Sequence, residues 1–423
     1  MTHTSEIERR RIVDNMEERI GNVASKEYPG IYPGEDHSWN LEKFQAGLRL
    51  ETQRLTPSSI EFDLIGVDAS IANSLRRTLI AEVPTIAIES VYVYNNTSIM
   101  QDEVLAHRLG LLPIKFDPRL LNWKPKQVTG ADGSGLDLKP TEDETVTDRN
   151  TIVFTLAVEC SRNPTAARDE TDPAKLYINS SVYSGHLAYQ HHGRQYRLFN
   201  LPIPPPATAD ENPIVDPDHE MKGDSWSEPP KVSVDDVLLV KMRPGQQLNM
   251  LLYAVKGVGK DHAKFSPVAT ASYRLLPHID ILSPIPPEHA AKFQACFPPG
   301  VVDLEYDDET GEQTKVVVKN PRLDTVSREV LRYPEFRDRV KLGRVRDHFI
   351  YSIESTGAYK PQELLPEAIK IMLDKLDSVE HCMRVKFPGL VPASKEMQVD
   401  PEEAFANEGR VPKGRGAGRK ARK

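Results

Sequence analysis

Two amphipathic helices, far apart in the sequence, limit most strongly what this chain can fold into. Both are predicted from apolar side chains that recur every three or four residues, the period of an α-helix. The first spans residues 70–82 and the second covers about 361–383. Each lies beside a segment in which apolar and polar residues alternate, as in a half-buried strand. The pattern permits one discontinuous domain, with the chain between the helices inserted as a second domain.

Capping and breaking residues set the ends of both helices. Asp68 precedes the first helix as an N-cap, and Pro84 ends it. The second helix contains Pro366, which has no backbone N–H to donate, so its regular part is expected to begin near Leu365. The predicted apolar stripes are Ile71, Leu75 and Leu79 on the first helix, and Leu365, Ile369, Met372, Leu376 and Val379 on the second.

Weaker patterns predict the remaining elements. Residues 1–39 form an N-terminal arm, in which Ile12, Met16 and Ile20 have the spacing of a short amphipathic helix. A further helix is expected at 101–110 and a hairpin at 301–305 and 315–319. Alternating strands are predicted at 48–50, 60–64, 151–158, 237–242, 248–255 and 349–353, and long loops at 117–150 and 203–231.

Composition excludes several classes of protein. The net charge of -8 argues against a protein that coats nucleic acid with its whole surface. The three cysteines lie far apart, which excludes a disulfide framework or a cysteine-based metal site within the chain. No apolar run is long enough to span a membrane, and the N-terminus lacks the core of a secretory signal. Residues 387–423 form a polar tail, expected to be disordered, and its last eleven residues contain six basic side chains and no acid.

Three motifs suggest chemistry, and each has a simpler explanation. The sequence GVGK at 257–260 lacks the first glycine and the final Ser or Thr of a phosphate-binding loop, which favours a glycine turn after a strand. His186, His191 and His192 are candidate metal ligands, but no cysteine completes a site. Cys382 follows His381 on a predicted helix, where neighbouring residues point in different directions. The residues therefore predict no catalytic site and no cofactor.

Three segments resemble the α-like subunits of RNA polymerases. The most specific matches are NSLRRT at 73–78 and DEVLAHRLGLLP at 102–113, and the third is KGVGKDHAKFSPVA at 256–269. The resemblance extends over about residues 20–386. It identifies Asn73, Asp102, Glu103, His107, Arg108 and Gly110 as family motif residues.

Further phrases resemble the version of this subunit that polymerases I and III share. They lie at 28–44, 95–110 and 277–302. The polymerase II counterpart typically carries a cysteine cluster after the second helix, whereas residues 117–150 contain no cysteine here. The resemblance therefore implies the shared version and no structural zinc, with the polymerase II paralogue as the alternative. A second, weaker alternative is an independent metal-dependent hydrolase that uses the histidine loop.

The resemblance implies an α+β fold with two domains. Residues 40–85 and 271–386 would form a discontinuous dimerisation domain, a small sheet with two long helices, and residues 86–270 an inserted, mainly β domain. The helices would pack against those of a smaller α-like partner. The implied interface residues are Leu75, Arg76, Arg77, Leu79, Ile369, Met372 and Leu376.

The resemblance also implies a role without catalysis. The heterodimer would dock the second-largest polymerase subunit and the small zinc-binding subunits, and would meet DNA only through the assembled enzyme. Transcription of ribosomal RNA, 5S RNA and transfer RNA, in the nucleus and nucleolus, is the expected context.

Overall fold

The computed structural model describes residues 11–21, 23, 39–124, 146–166, 171–191, 193, 195, 229–306 and 313–387. It contains both helices and sheets, which confirms the expected α+β class. The helices are α1 (Leu41–Gly47), α2 (Ala69–Ala81), α3 (Asp102–Gly110), α4 (Pro173–Leu176), α5 (Pro287–Ala295), α6 (Pro334–Arg337) and α7 (Pro361–Lys386). In this part of the chain no helix combines the length and hydropathy needed to cross a membrane.

Eighteen strands form two main sheets and several short ladders within the described ranges. The strands are β1 (Ile12–Asn15), β2 (Ile20–Gly21), β3 (Arg49–Leu55), β4 (Ser59–Ile65), β5 (Pro84–Asn96), β6 (Ile114–Lys115), β7 (Thr151–Glu159), β8 (Ser161–Arg162), β9 (Tyr177–Ile178), β10 (Ser181–Tyr183), β11 (Ala188–Gln190), β12 (Lys231–Val232), β13 (Leu238–Lys241), β14 (Gln247–Val258), β15 (Val268–Ile281), β16 (Val302–Tyr306), β17 (Gln313–Val318) and β18 (Val340–Ser355).

The larger sheet has six antiparallel strands organised around β18. The strand order is β2-β1-β18-β4-β3, and β15 also pairs with β18. The β3–β4 hairpin and the strand at 349–353 agree with the alternation in the sequence. Strands from the two ends of the chain thus lie side by side, because β1 and β4 both pair with β18.

Aromatic side chains fill the core between this sheet and α2. The rings of Phe62 and Tyr351 stack across β4 and β18 with centroids 5.0 Å apart. Phe349 and Ile353 are fully buried on the same face of β18, where side chains alternate with a period of two. The Tyr351 hydroxyl donates a hydrogen bond of 2.5 Å to the Ala72 carbonyl oxygen, so α2 is held against this face.

The smaller sheet has the strand order β11-β7-β14-β5 and is antiparallel. Its longest ladder joins β5 to β14, from Pro84 opposite Val258 to Asn96 opposite Leu248. One face of the sheet packs against α3 and adjoining segments. The core there includes Ile86, Ile88, Leu105, Leu109, Phe154, Leu156, Met250 and Leu252.

A third apolar cluster lies at the Val340 end of β18. It combines α5, α6 and the β16–β17 hairpin, with Phe293 and Phe336 rings 5.3 Å apart. The hairpin was predicted from the sequence and is confirmed by the ladder from Val302 opposite Val318 to Tyr306 opposite Gln313.

The prediction of an amphipathic helix in the N-terminal arm is wrong. Residues 12–15 form β1, whose partner is residues 342–345 of β18. Arg11 anchors its start through a bidentate contact with Asp347, in which Nη2 lies 2.7 Å from Oδ2 and Nε donates to Oδ1 at 3.1 Å. The weak helical spacing of this segment is overridden because pairing with β18 satisfies the backbone N–H and C=O groups of β1.

Helix α7 begins earlier than the sequence suggested. Pro361, rather than a residue near Leu365, occupies its first turn, where the missing N–H of a proline costs nothing. Pro366 lies inside the helix and removes one backbone hydrogen bond. Burial of Pro361, Leu364 and Ala368 against the rest of residues 1–371 offsets that loss.

The chain divides into two compact units, residues 1–371 and 372–423. In the second unit the structure describes only 372–387, the continuation of α7 and Phe387. Several sequence predictions fall outside the described residues: most of the arm at 24–38, the loop segments 125–145 and 203–228, His192, and the tail from 388 onward. The domain boundaries remain predictions.

Candidate partner-binding surface

Helix α2 forms where the sequence predicted it. Of its predicted apolar stripe, Leu75 and Leu79 face inward, whereas Ile71 is exposed. The Asp68 side chain accepts a hydrogen bond of 2.8 Å from the Ser70 amide. Hydrogen bonds from Ser70 lower the pKa of Asp68. Leu79 has no exposed surface, and Leu75 is also buried. In this chain both therefore stabilise the packing of α2 on the larger sheet.

The two arginines of α2 differ in their surroundings. The Arg76 guanidinium folds back one turn and donates to the Asn73 side-chain oxygen at 2.8 Å. The motif residue Asn73 therefore orients the Arg76 side chain through this hydrogen bond. Arg77 is exposed and Arg76 is half-buried, so both guanidinium groups lie at or near the surface.

Helix α7 carries an exposed apolar stripe, named here the α7 stripe. It consists of Ile369, Leu373, Leu376, Val379 and Met383, which are between 43 and 64% exposed. Met372 of the predicted set is half-buried beside it. The sequence analysis missed Leu373 and Met383, although both follow the helical period. Large apolar side chains rarely line up on a solvated helix face unless another surface covers them.

Two exposed leucines of β3 were also missed by the sequence analysis. Leu50 lies opposite Leu64 and Leu55 opposite Ile60. Cross-strand partners share a face, so both leucines extend the buried face of the larger sheet to its edge. Each is about half exposed. The signal was the alternation around Leu50, which indicated a strand but not its place at the edge.

Helix α3 carries the second family motif and has one buried side. Asp102 accepts a hydrogen bond of 2.6 Å from the Asn96 side chain, and Arg108 donates to the Leu238 carbonyl oxygen. A Cβ atom at Gly110 would lie 3.4 Å from the Ile88 carbonyl oxygen, an ordinary van der Waals contact, so space alone does not require glycine there. Glu103 and His107 are exposed on the other side.

The glycine turn at 257–260 is a packing element. A Cβ atom on Gly259 would lie in severe contact with the Ile80 carbonyl oxygen, and one on Gly257 would meet the Phe265 ring at 2.7 Å. The Lys260 amide donates to the Ala81 carbonyl oxygen at 2.8 Å. The turn thus closes the C-terminal end of α2, which explains both glycines without a bound phosphate.

A cavity of about 260 Å³ lies where the motifs of α3 and the glycine turn meet. Its lining includes His107, Gly110, His262 and Lys264. The Lys264 ammonium donates to the Ile88 carbonyl oxygen at 2.8 Å and pairs with Glu89 at 2.5 Å. These contacts satisfy the lysine, so the cavity is a polar recess beside the edge of β5.

A charged cluster ties the first turns of α7 to residues 117–119. The Arg119 guanidinium contacts the Asp117 carboxylate at 2.8 Å and the carboxylates of Glu363 and Glu367 at 3.3 Å. The hydrogen bond to Asp117 is the largest cause that raises the pKa of Arg119 above its usual range. The cluster fixes the start of α7 relative to the core of the smaller sheet.

The described residues contain no group of three or more His, Cys, Asp and Glu side chains placed to hold a metal ion. His186 belongs to the histidine site suggested by the sequence. Its Nδ1 atom accepts a hydrogen bond of 3.1 Å from the Tyr183 amide. Cys160 and Cys296 are buried, and burial raises the pKa of both thiols, so they are poor nucleophiles.

The model of the RNA polymerase Rpb3/Rpb11 dimerisation domain matches residues 61–376. The chain belongs to this family. The match covers α2, the smaller sheet, most of β4 together with β15 and β18 of the larger sheet, and the first turns of α7. It confirms the resemblance found in the sequence.

The chain is more similar to named subunits of polymerases I and III than to a named polymerase II subunit. The chain is 44% identical over 365 residues to DNA-directed RNA polymerases I and III subunit RPAC1 of Saccharomyces cerevisiae, with 86% of this chain and 96% of the relative covered. It is 44% identical over 368 residues to the human RPAC1 subunit, with 85% and 94% covered. DNA-directed RNA polymerase II subunit rpb3 of Dictyostelium discoideum is 28% identical over 338 residues, with 78% and 93% covered.

Proposed function

We propose that this chain is a non-catalytic assembly subunit of RNA polymerases I and III. The proposal rests on the family, on the 44% identity with relatives that carry this name, and on the exposed α7 stripe. The active site, with its metal ions, would belong to other subunits. This subunit would act by holding the assembly together.

The α7 stripe is the observation that carries the proposal. Burial of one large apolar side chain contributes roughly 1.5–3 kcal/mol, so a stripe of five can support a stable heterodimer. The proposed occupant is the helical face of a small α-like polymerase subunit. Leu75 and Leu79 would support the interface from within by fixing α2, while Ile369, Met372 and Leu376 would touch the partner.

Arg76 and Arg77 extend the proposed interface with charge. A guanidinium group suits bidentate contact with a carboxylate of another subunit. The second-largest subunit and the small zinc-binding subunits are the proposed further partners, and contact with DNA would occur only through them. Transcription of ribosomal, 5S and transfer RNA in the nucleus, including the nucleolus, follows from the proposed membership in both polymerases.

The alternative assignments have less support. A polymerase II paralogue should be more similar to polymerase II subunits than to RPAC1 subunits. The chain is instead 28% identical to the polymerase II subunit rpb3 and 44% identical to yeast RPAC1. The independent hydrolase needs the histidine loop to bind metal, and His186 already serves as a hydrogen-bond acceptor within its own turn.

Co-expression with a small α-like subunit tests the proposal. Native mass measurement of the purified pair should give a one-to-one complex that survives dilution to submicromolar concentration. A chain that purifies alone, or as a homodimer in the presence of the small subunit, would contradict the proposed heterodimer.

A further inference from the structure

Two family motifs meet at the polar recess beside β5. Its volume is about 260 Å³, and its lining comes from residues within 88–91 of β5, 106–111 at the end of α3, and 262–264. The motifs at 102–113 and 256–269 therefore contribute to one opening, although they are far apart in the sequence.

Nitrogen-bearing side chains outnumber carboxylates around the recess. The lining in the described part of the chain includes His107, His262 and Lys264, and its carboxylate is that of Glu89. Both histidines are exposed. The His262 Nδ1 atom accepts a hydrogen bond of 3.1 Å from the Lys264 amide, so a neutral His262 ring carries its proton on Nε2. The ring therefore remains a hydrogen-bond donor at the recess.

The chain itself only partly compensates the charge of Lys264. The Lys264 side chain is 13% exposed, and its ammonium group pairs with Glu89, whose side chain is 52% exposed. A largely buried cation loses most of its hydration, whereas water screens an exposed carboxylate. An anion from outside would lie beside this cation and two imidazole rings that can become protonated. The recess is therefore complementary to an anion.

Apolar side chains around the recess indicate the kind of anion that fits. Ile88 and Val91 line it, and Leu111 at its edge is 50% exposed. Val104, one helical turn before His107 on α3, is 47% exposed. Phosphates of nucleic acid stay hydrated and are bound by exposed Lys and Arg side chains. An acidic side chain instead brings aliphatic carbons and neighbouring residues that can cover the apolar rim.

We propose that this recess, defined by His107, Leu111, His262 and Lys264, binds the carboxylate of an Asp or Glu side chain from another subunit of the assembled polymerase. The imidazole N–H groups would donate to the carboxylate, and Leu111 would pack on the residues that flank it. The inference rests on the proposed function, because the acidic segment comes from the larger assembly. The small α-like subunit is assigned to the α7 stripe, so a different subunit is expected to supply the acid.

Charge reversal in the recess tests this contact in the whole enzyme. His107→Glu places a negative charge beside the carboxylate, so the tagged chain should recover the other polymerase subunits at least about tenfold less well, with the small α-like subunit still bound. His107→Gln keeps an N–H donor and should recover them nearly as well as the wild type. His191→Glu adds the same charge at another exposed histidine and should change neither.

Photocrosslinking in the intact polymerase identifies the occupant. A p-benzoylphenylalanine in place of Leu111 should join the chain to one peptide of another subunit, beside an Asp or Glu. Replacement of that acid by Lys should reproduce the loss of subunits. Combined with His107→Glu, it should restore recovery to at least about half of the wild-type level, as expected of two residues in direct contact.

Three results would overturn the inference: recovery by His107→Glu equal to that of the wild type, a crosslink that is absent or joins nucleic acid, or no restoration by the charge exchange. The proposed function has a separate criterion. If the wild-type chain recovers no polymerase subunits, the proposed function fails; if it recovers them and His107→Glu recovers as many, only the recess fails.

Discussion

The Tyr351 hydroxyl group lies 2.5 Å from the Ala72 carbonyl oxygen and donates a hydrogen bond to it. The contact joins β18 to α2 across 279 residues of sequence. Burial raises the pKa of Tyr351 above its usual range, so the hydroxyl keeps its proton throughout the physiological pH range. One polar contact thus fixes the position of α2 on an otherwise apolar sheet face.

Removal of this hydroxyl should destabilise the chain measurably. Tyr351→Phe keeps the ring that stacks on Phe62 and should lower the free energy of unfolding by about 1 kcal/mol, the usual contribution of a buried hydrogen bond. Urea denaturation of the heterodimer measures the change. Tyr273→Phe is the matched control, because Tyr273 packs 5.3 Å from Tyr351 without a hydrogen bond from its own hydroxyl among the described residues. Equal effects of the two substitutions would contradict the assigned role.

The glycine turn offers a second test, based on space. Gly259→Ala should destabilise the chain by about 1–3 kcal/mol, because its Cβ atom would press on the Ile80 carbonyl oxygen and force the end of α2 to shift. Gly47→Ala is the control, since a Cβ atom there meets nothing within 4 Å. Thermal unfolding compares the two. Stabilisation of the wild-type chain by ATP, with Gly259→Ala abolishing it, would revive the phosphate-loop interpretation.

The Arg119 cluster should contribute stability that depends on salt. Arg119→Gln should lower the free energy of unfolding by about 1 kcal/mol at low ionic strength and by less in concentrated salt, because the guanidinium is partly exposed. Arg54→Gln removes an exposed pair with Glu61 and should change stability little. An effect of Arg119→Gln that does not vary with salt would show that packing, rather than charge, explains it.

Much of the helical structure was predictable because its signals are local. The capped stripe placed α2 to within one residue at each end, and the first family motif lies on it. The α7 stripe also follows a simple period. Burial was not predictable to the same degree: the identical spacing that leaves Leu376 exposed places Leu79 inside the chain's own core. Periodicity identifies an apolar face but does not say what covers it.

The errors and omissions arise from contacts between distant residues. Ile12 pairs with Val345, so β1 depends on a strand more than 300 residues away, and no local pattern encodes that ladder. The convergence of Gly259 on Ile80, and the place of Leu50 at the edge of the sheet, likewise follow only from the tertiary arrangement. Family motifs marked the segments involved without revealing that they touch.

Disruption of the α7 stripe tests the partner interface. Leu376→Asp should weaken binding of the small α-like subunit by at least about thirtyfold, since it removes roughly 2 kcal/mol of apolar burial and places a charge in its stead. Ser378→Asp, two positions along the same helix and off the stripe, should bind nearly as well as the wild type. A dissociation constant unchanged by Leu376→Asp would exclude the stripe as the interface.

The most direct test of the central proposal is gentle affinity purification of the tagged full-length chain from its own cells, with the co-purifying proteins identified by mass. We expect recovery of the largest subunits of both polymerase I and polymerase III, together with one small α-like subunit. Recovery of polymerase II subunits alone, or of the chain without any polymerase subunit, would contradict it.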